Sequence, residues 1–345
     1  VVTEEKVSTS LAEWPSQLQP KELMFFSLDV IGSTAMKQTP VTAGTAVVPD
    51  NTEWFKDIQT FYIKSVSMFF AAIKDLKRKD KNDFIQNMKN PKLWKTQGDE
   101  VLFWIEITDT RQVIFLVERW RSTIEGLREL LAERKLDFKS TIWIAHFPWR
   151  NKMIFTSATG KEDIDLDGSE DRNLQLAQTY FEQIYGSPSV NPFQLVPDFV
   201  GPGVDIGFRL AAQASQRRLI MSSDVVYMLA VGALHMMRST KHLRVHFEGM
   251  HLLKGVLGGL EYPLFWLDMI DEKNIYSFSH DLGRRDPCSP EKIESFMREF
   301  YHQRHNYLYE PFVVSETEQL LRLAPKWYVD AHRKMLVDEK ITAAA

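Results

Sequence analysis

An apolar stretch that stops on an acid constrains this chain more than any other feature. In KELMFFSLDVIGST, residues 21–34, the run 23–28 has the length of a buried strand and Asp29 follows it directly. Burying a carboxylate is costly unless something pairs with it. A strand over 23–30 must therefore end where a cation or solvent can meet Asp29, and the Ile-Gly-Ser-Thr after it must turn the chain.

The 345 residues are 44% hydrophobic and 26% charged, enough for one large globular domain or two modest ones. A net charge of −4 leaves no electrostatic footprint for duplex nucleic acid. Cys288 is the sole cysteine, which excludes an internal disulfide or a cysteine-rich zinc site and fits a reducing compartment. No apolar run approaches a membrane span and no leader-like segment opens the sequence, so the cytoplasm is the expected location.

Hydrophobic spacing predicts strands over 23–30, 101–107, 138–147, 243–253 and 260–268, with a short one inside RRLIMSSDV. Helices are predicted over 53–76, 110–135, 174–185, 204–218 and 223–234. Residues 38–52 read as a loop, KDLKRKDKND (74–83) as a solvated charged loop, and 160–173 as an acidic surface loop. Residues 1–20 form an arm, and 21–270 a main domain with inserts near 38–52 and 74–93. Residues 271–345 form a helical extension, with Ser289 as N-cap and Pro290 opening a helix. Strands mixed with helices, several strands adjacent in sequence, favour an α+β or mixed α/β fold.

Three segments carry chemistry: FFSLDVIGS with Asp29; KTQGDEVLF with Lys95, Asp99 and Glu100; and PDFVGPGVDIGFRL with Asp198, Asp205 and Arg209. Each has an ordinary reading. Asp29 could cap a turn, Gly98-Asp99 could form a hairpin turn, and Asp205 and Arg209 could be a surface ion pair. GPGVDIG lacks the spacing of a dinucleotide loop. His242 with His246, and His302 with His305, have spacings seen in metal sites, but packing and surface roles fit them better.

In order and spacing, however, the segments resemble the class III nucleotidyl cyclases, the adenylate and guanylate cyclase catalytic domains. LDVIGST resembles that family's first metal motif and KTQGDEVLF its second. DFVGPGVDIGFRL resembles the segment where a base-reading Asp precedes an Asn by seven residues and an Arg by eleven, here Asp198, Asp205 and Arg209. LLKGVLGGLEYPLFWL resembles the family's Leu-Lys-Gly turn and last strand. The match runs over roughly residues 21–268. QGDEVLF also echoes the signature of the related diguanylate cyclases, although 198–209 follows the class III spacing.

The resemblance implies an α+β fold whose ferredoxin-like βαββαβ core sheet carries packed helices, with the helical C-terminal extension added. It implies two divalent ions, Mn²⁺ or Mg²⁺, held by Asp29, Asp99 and the Val30 carbonyl. Lys95 and Asp198 would read the base, Arg209 would stabilise the transition state, and Asp205 would take the ribose-orienting place. It further implies a homodimer, with the metal carboxylates from one subunit and the base pocket and Arg from the other. The chain departs from the family in four places: Asp205 replaces Asn, Phe208 replaces a small residue, TIWIAHFPW lacks the usual glycines, and the phosphate lysine has only Lys254 as a stand-in.

One donor and one acceptor fit adenine, cytosine or uracil, and guanine less naturally, so hydrogen bonding leaves the base open. The inserts and tail look most like the bacterial cyclases of the Pycsar antiphage systems, which make cyclic UMP or cyclic CMP for a separate effector. The expectation is a pyrimidine cyclase, UTP ahead of CTP. Its rivals are an adenylate cyclase, a diguanylate-cyclase relative and an inactive cyclase-like scaffold. Asp29 and Asp99 are expected side by side across adjacent strands, with no basic side chain neutralising both.

Overall fold

The computed structural model describes residues 20–38, 41–43, 46–48, 53–134, 136–157, 195–270, 286–314, 320–321 and 324–330. In chain order the elements begin with β1 (Lys21–Val30), α1 (Ser33–Gln38), β2 (Val41–Ala43), β3 (Ala46–Val48), α2 (Glu53–Lys79) and α3 (Asp83–Gln86). Next come β4 (Lys92–Gln97), β5 (Glu100–Ile107), α4 (Gln112–Leu130), β6 (Phe138–Phe147), β7 (Lys152–Ser157) and β8 (Leu195–Val200). The rest are α5 (Pro202–Ala211), β9 (Arg218–Met221), α6 (Ser223–His235), β10 (Val245–Leu252), β11 (Glu261–Asp268) and α7 (Pro290–Gln303).

Seven strands form one sheet in the order β10-β11-β9-β6-β1-β5-β4. Within it β6-β1-β5-β4, linked through α2 and α4, is the antiparallel βαββαβ arrangement of a ferredoxin-like core. The fold is α+β. β1 lies centrally, antiparallel to β5 and to β6 along nearly its whole length.

Side chains alternate across a strand, so β1 serves both faces of the sheet. Met24, Phe26, Leu28 and Val30 enter the larger core with residues of α2, α4, α6 and α7. Leu23 and Phe25 enter a second core with Trp94, Trp104, Trp143, Phe147 and Phe199. That alternation places Ser27 and Asp29 on the second face too, which α5 and the antiparallel β7–β8 pair cover in part. An apolar run with no polar alternation is what a strand buried on both faces requires.

Several expectations need correction. The segment 74–83 is a loop only over 80–82: α2 runs to Lys79, and Asp75 pairs with Arg78 and Lys79. Basic residues in a last turn suit the negative end of a helix, which is why the charge run stays helical. Residues 38–52 contain a small hairpin, β2–β3, rather than loop throughout. The helix expected over 204–218 stops at Ala211, because Arg218–Met221 is taken as a strand between β6 and β11. The 110–135 helix ends at Leu130. The expected arm, the acidic loop 160–173 and the helix 174–185 lie outside the described residues, apart from Pro20.

Within the C-terminal extension, α7 starts at Pro290 with Ser289 as its N-cap residue. It packs on α6, burying Ile293, Met297, Phe300 and Tyr301 in the larger core. Tyr301 donates to Asp224 Oδ1 at 2.7 Å, and Tyr328 meets His146 Nε2 at 2.9 Å. His146 in turn holds Glu22 through Nδ1 at 2.7 Å.

Burial first, and then the charge of Glu22, push the Asp224 carboxyl up to about 7. An acid raised in the folded state keeps its proton there while the unfolded chain loses it. Asp224 therefore costs stability as pH rises from about 4 to 7, and by a constant amount above that. Asp224→Asn should gain on the order of 1–4 kcal/mol over the parent at pH 8 and little at pH 4, read from denaturant melts at both.

Candidate functional site

The open end of the second face is built around Asp29. Asp29 lies opposite Glu100 on β5 and Lys139 on β6 in the two ladders. Lys139 Nζ is 2.7 Å from Asp29 Oδ2. Ser27 donates to Glu100 Oε1 at 2.6 Å. Asp99 sits in the two-residue β4–β5 turn, where Gly98 has φ +67°, a backbone conformation that glycine adopts without a steric penalty. The turn is pinned on both sides. Val30 N–H donates to the Asp99 carbonyl at 3.2 Å, and Tyr62 of α2 donates its hydroxyl to the Gly98 carbonyl. Ser33, at the start of α1, donates to the Asp99 carboxylate.

Asp29 and Asp99 are thus neighbours. Burial raises the Asp29 carboxyl; Lys139 acts against the rise, and the nearby Asp99 charge adds to it. Burial likewise raises Glu100. Lys139 pairs with Asp29, and among the described residues no basic side chain pairs with both acids, as the sequence led us to expect. Lys139 faces Asp29 because it holds the matching register position on β6. Period-two alternation in FKSTIWIAHF puts Lys139, Thr141 and Trp143 on one face, and that was the signal available in the sequence.

Among the described residues no group of three or more His, Cys, Asp or Glu side chains is arranged to hold a metal ion. The donors present are the hard oxygens of Asp29 and Asp99. One or two protein carboxylates are what Mg²⁺ or Mn²⁺ usually takes, with phosphate and water completing the shell. An ammonium already drawn to Asp29 shows that the spot attracts a cation, so the donor set fits such an ion if Lys139 swings away.

Lys95 and Asp198 come together at the β4 edge. Lys95 Nζ lies 2.9 Å from Asp198 Oδ1, and Trp94 Nε1 donates to the same oxygen at 3.1 Å. The register shifts between Leu93 and Lys95, a bulge that turns adjacent side chains toward one side. The bulge explains how Trp94 enters the aromatic core while Lys95 still reaches Asp198. Lys95 also sits 4.3 Å from the Trp94 ring centre.

Helix α5 carries Asp205 and Arg209, both exposed and with no ion pair between them, unlike the surface pair their spacing suggests. Asn151 holds the start of the helix, accepting from Gly203 N–H at 2.9 Å. Gly207 lies flat against the Trp143 indole: a Cβ there would stand 2.2 Å from Trp143 Cδ2. The indole fills the space that glycines in the 138–147 strand would leave open, so the departures at Trp143 and at the helix fit each other. Phe208 packs at its edge on Trp94 and Trp143. Lys254 is exposed in the turn after β10, at the opposite edge of the sheet from β4. His246 is buried and stacked on Trp266, while His242 pairs with Glu118, so that pair does not converge on a shared ligand.

No protein-family profile matches the sequence, and no curated protein matches it either. Solved structures do share its shape in part. The adenylyl cyclase CyaB from P. aeruginosa has a TM-score of 0.44 at 12% identity, over 74% of this chain and 97% of that one. A bacterial light-regulated adenylyl cyclase has a TM-score of 0.40 at 13% identity, over 77% and 98%. The guanylyl cyclase Cya2 has a TM-score of 0.37 at 13% identity, over 72% and 92%. No helix among the described residues is long and apolar enough to cross a membrane.

Gly207→Ala forces either the indole or α5 to move. It should cost roughly 1–3 kcal/mol of stability. Wild-type-like thermal melts for that variant would mean that the contact is not tight.

Proposed function

We propose that the chain is a metal-dependent nucleotidyl cyclase. The observation that carries this reading is the meeting of Asp29 and Asp99, acids from adjacent strand ends, on the face that also carries the Lys95–Asp198 pair. In the reaction a ribose 3′-oxygen loses its proton and attacks the α-phosphorus, the bond to the β-phosphate oxygen breaks, and pyrophosphate leaves. Two divalent ions, Mg²⁺ or Mn²⁺, would supply the charge neutralisation and activate the attacking oxygen. Asp29, Asp99 and the Val30 carbonyl would hold them. Arg209, exposed and with no ion pair among the described residues, can present its donor fork to the charge developing on phosphate. Asp205, one turn earlier on α5, would orient the ribose, and Lys254 would meet the outer phosphates.

Lys95 offers a donor and Asp198 an acceptor, held by one another until a base replaces each with its own group. Uracil and cytosine both present that complement, and we place UTP first and CTP second. The product, a 3′,5′-cyclic pyrimidine nucleotide, would act as a second messenger for a separate effector in antiphage defence. Adenine satisfies the same two groups, so an adenylate cyclase is the nearest alternative. Exposed Leu93, Ile154, Val196, Val200 and Phe208 lie on the elements around Lys95 and Asp198, which supports a homodimer that completes each site across the interface. One observation favours an inactive scaffold instead: the Lys139 ammonium on Asp29 must give way before a metal ion can bind.

Incubating the purified chain with each of the four NTPs and Mn²⁺ or Mg²⁺ should yield cyclic UMP or cyclic CMP and pyrophosphate. Asp29→Ala should lower turnover on the order of 10²–10³-fold. A cyclic purine alone would overturn the base assignment, and no cyclic product from any NTP would overturn the enzyme reading.

A further inference from the structure

At the opposite end of β1 from Asp29, five parts of the chain close around a small cavity open to solvent. Its polar lining is Glu22 at the start of β1, His146 near the end of β6, Arg150 and Asn151 from the following turn, Asp224 in the first turn of α6, and Tyr309 from the segment after α7, the Asn151 amide being engaged by the His146 carbonyl and by Gly203 N–H. Ile206 of α5 adds an apolar wall.

Some of these groups are already engaged. Glu22 and His146 face one another in the β1–β6 ladder and share a 2.7 Å contact, and Asp224 accepts from Tyr301. Two are not. The Tyr309 hydroxyl is buried with no hydrogen-bond partner among the described residues. The Arg150 guanidinium has an aromatic contact, 5.8 Å from the Tyr309 ring centre, and no ion pair or hydrogen bond with a described residue. Among the described residues the cavity therefore holds a cation without an ion pair and an unmet hydroxyl beside two acids, Glu22 and an Asp224 that the Glu22 charge helps keep protonated up to about pH 7. A simple anion would answer Arg150 and Tyr309 and face the carboxyls with a like charge. A simple cation would answer the carboxyls and leave Arg150 and Tyr309 unmet. A molecule carrying both charges a few bonds apart answers all four.

We propose that this cavity binds a small zwitterion of the α-amino acid class, its carboxylate on Arg150 and Tyr309 and its ammonium on Glu22 and Asp224. The occupant would touch α5, the helix that carries Asp205 and Arg209, and at once the C-terminal extension through Tyr309. The site is thus placed to couple the extension to the α5 helix. That coupling rests on the cyclase reading; the binding itself does not.

Calorimetry and thermal melts on the full chain, with glycine, alanine and serine as probes, test the binding without any nucleotide. At least one amino acid should bind saturably and raise the melting midpoint. Acetate and methylammonium, each with one of the two charges, should bind at least about tenfold more weakly. Arg150→Met and Tyr309→Phe should each weaken the amino acid at least about tenfold. Tyr309→Phe removes only the unmet hydroxyl, so its ligand-free midpoint should equal or exceed the parent's. No binding of any amino acid at about 10 mM, a cavity that holds water alone, would overturn the proposal. So would acetate binding as tightly as glycine, or binding that survives both substitutions.

Discussion

The register of β1 against its two neighbours is the constraint on which the rest depends. Ten residues paired on the β6 side and eight of them on the β5 side too leave no freedom in which side chain faces which way. The even-numbered positions from Met24 to Val30 complete the helix-covered core, while Leu23 and Phe25 build the aromatic core behind α5. Ser27 and Asp29 continue that second row past the point where apolar cover ends. A slip of one residue would send Phe26 and Leu28 to the second face and Asp29 into the larger core, at a cost no local gain could offset. The fold's stability and the position of its acid are therefore set by the same ladder.

From that ladder the neighbours of Asp29 follow. β5 brings Glu100 opposite, its turn brings Asp99 beside, and β6 brings Lys139 opposite on the other side. Burial makes the ionised acids costly, and the structure relieves one of them with Lys139. A metal-loaded state would transfer that task from an ammonium to harder and more highly charged cations. Helix α5 is tied to the same sheet through Gly207 on Trp143, and its Gly203 and Ile206 border the cavity beneath the C-terminal extension. One helix thus lies between the exposed Arg209 and the polar cluster of Glu22, His146 and Asp224.

Much of this was legible in the sequence, for identifiable reasons. The strand 138–147 matches its expected bounds because its alternation and its Asp-Phe start leave no competing reading. The run 23–30 gains two residues at its start, where Lys21 and Glu22 continue the ladder. Asp99 in a tight turn followed from Gly98. What the sequence concealed was tertiary. Alternation puts Lys139 on one face of its strand, but that it meets Asp29 there depends on which strands pair. The bulge at Trp94 breaks the alternation that would have assigned Lys95 a face. Likewise Glu22, His146, Asp224 and Tyr309 are far apart in the chain, and only the packing of the extension against the sheet brings them to one place. The charge run at 74–83 misleads because solvated helices and solvated loops have the same composition.

The central claim is that Asp29 and Arg209 act on one substrate, contributed by two copies of the chain. Mixing Asp29→Ala with Arg209→Ala protein under conditions of subunit exchange tests it directly. Each variant alone lacks one group in both of its sites, whereas a mixed dimer has one site with both groups intact. Random pairing of equal amounts should restore about a quarter of the parent's NTP turnover. A mixture no more active than either variant alone would contradict the account.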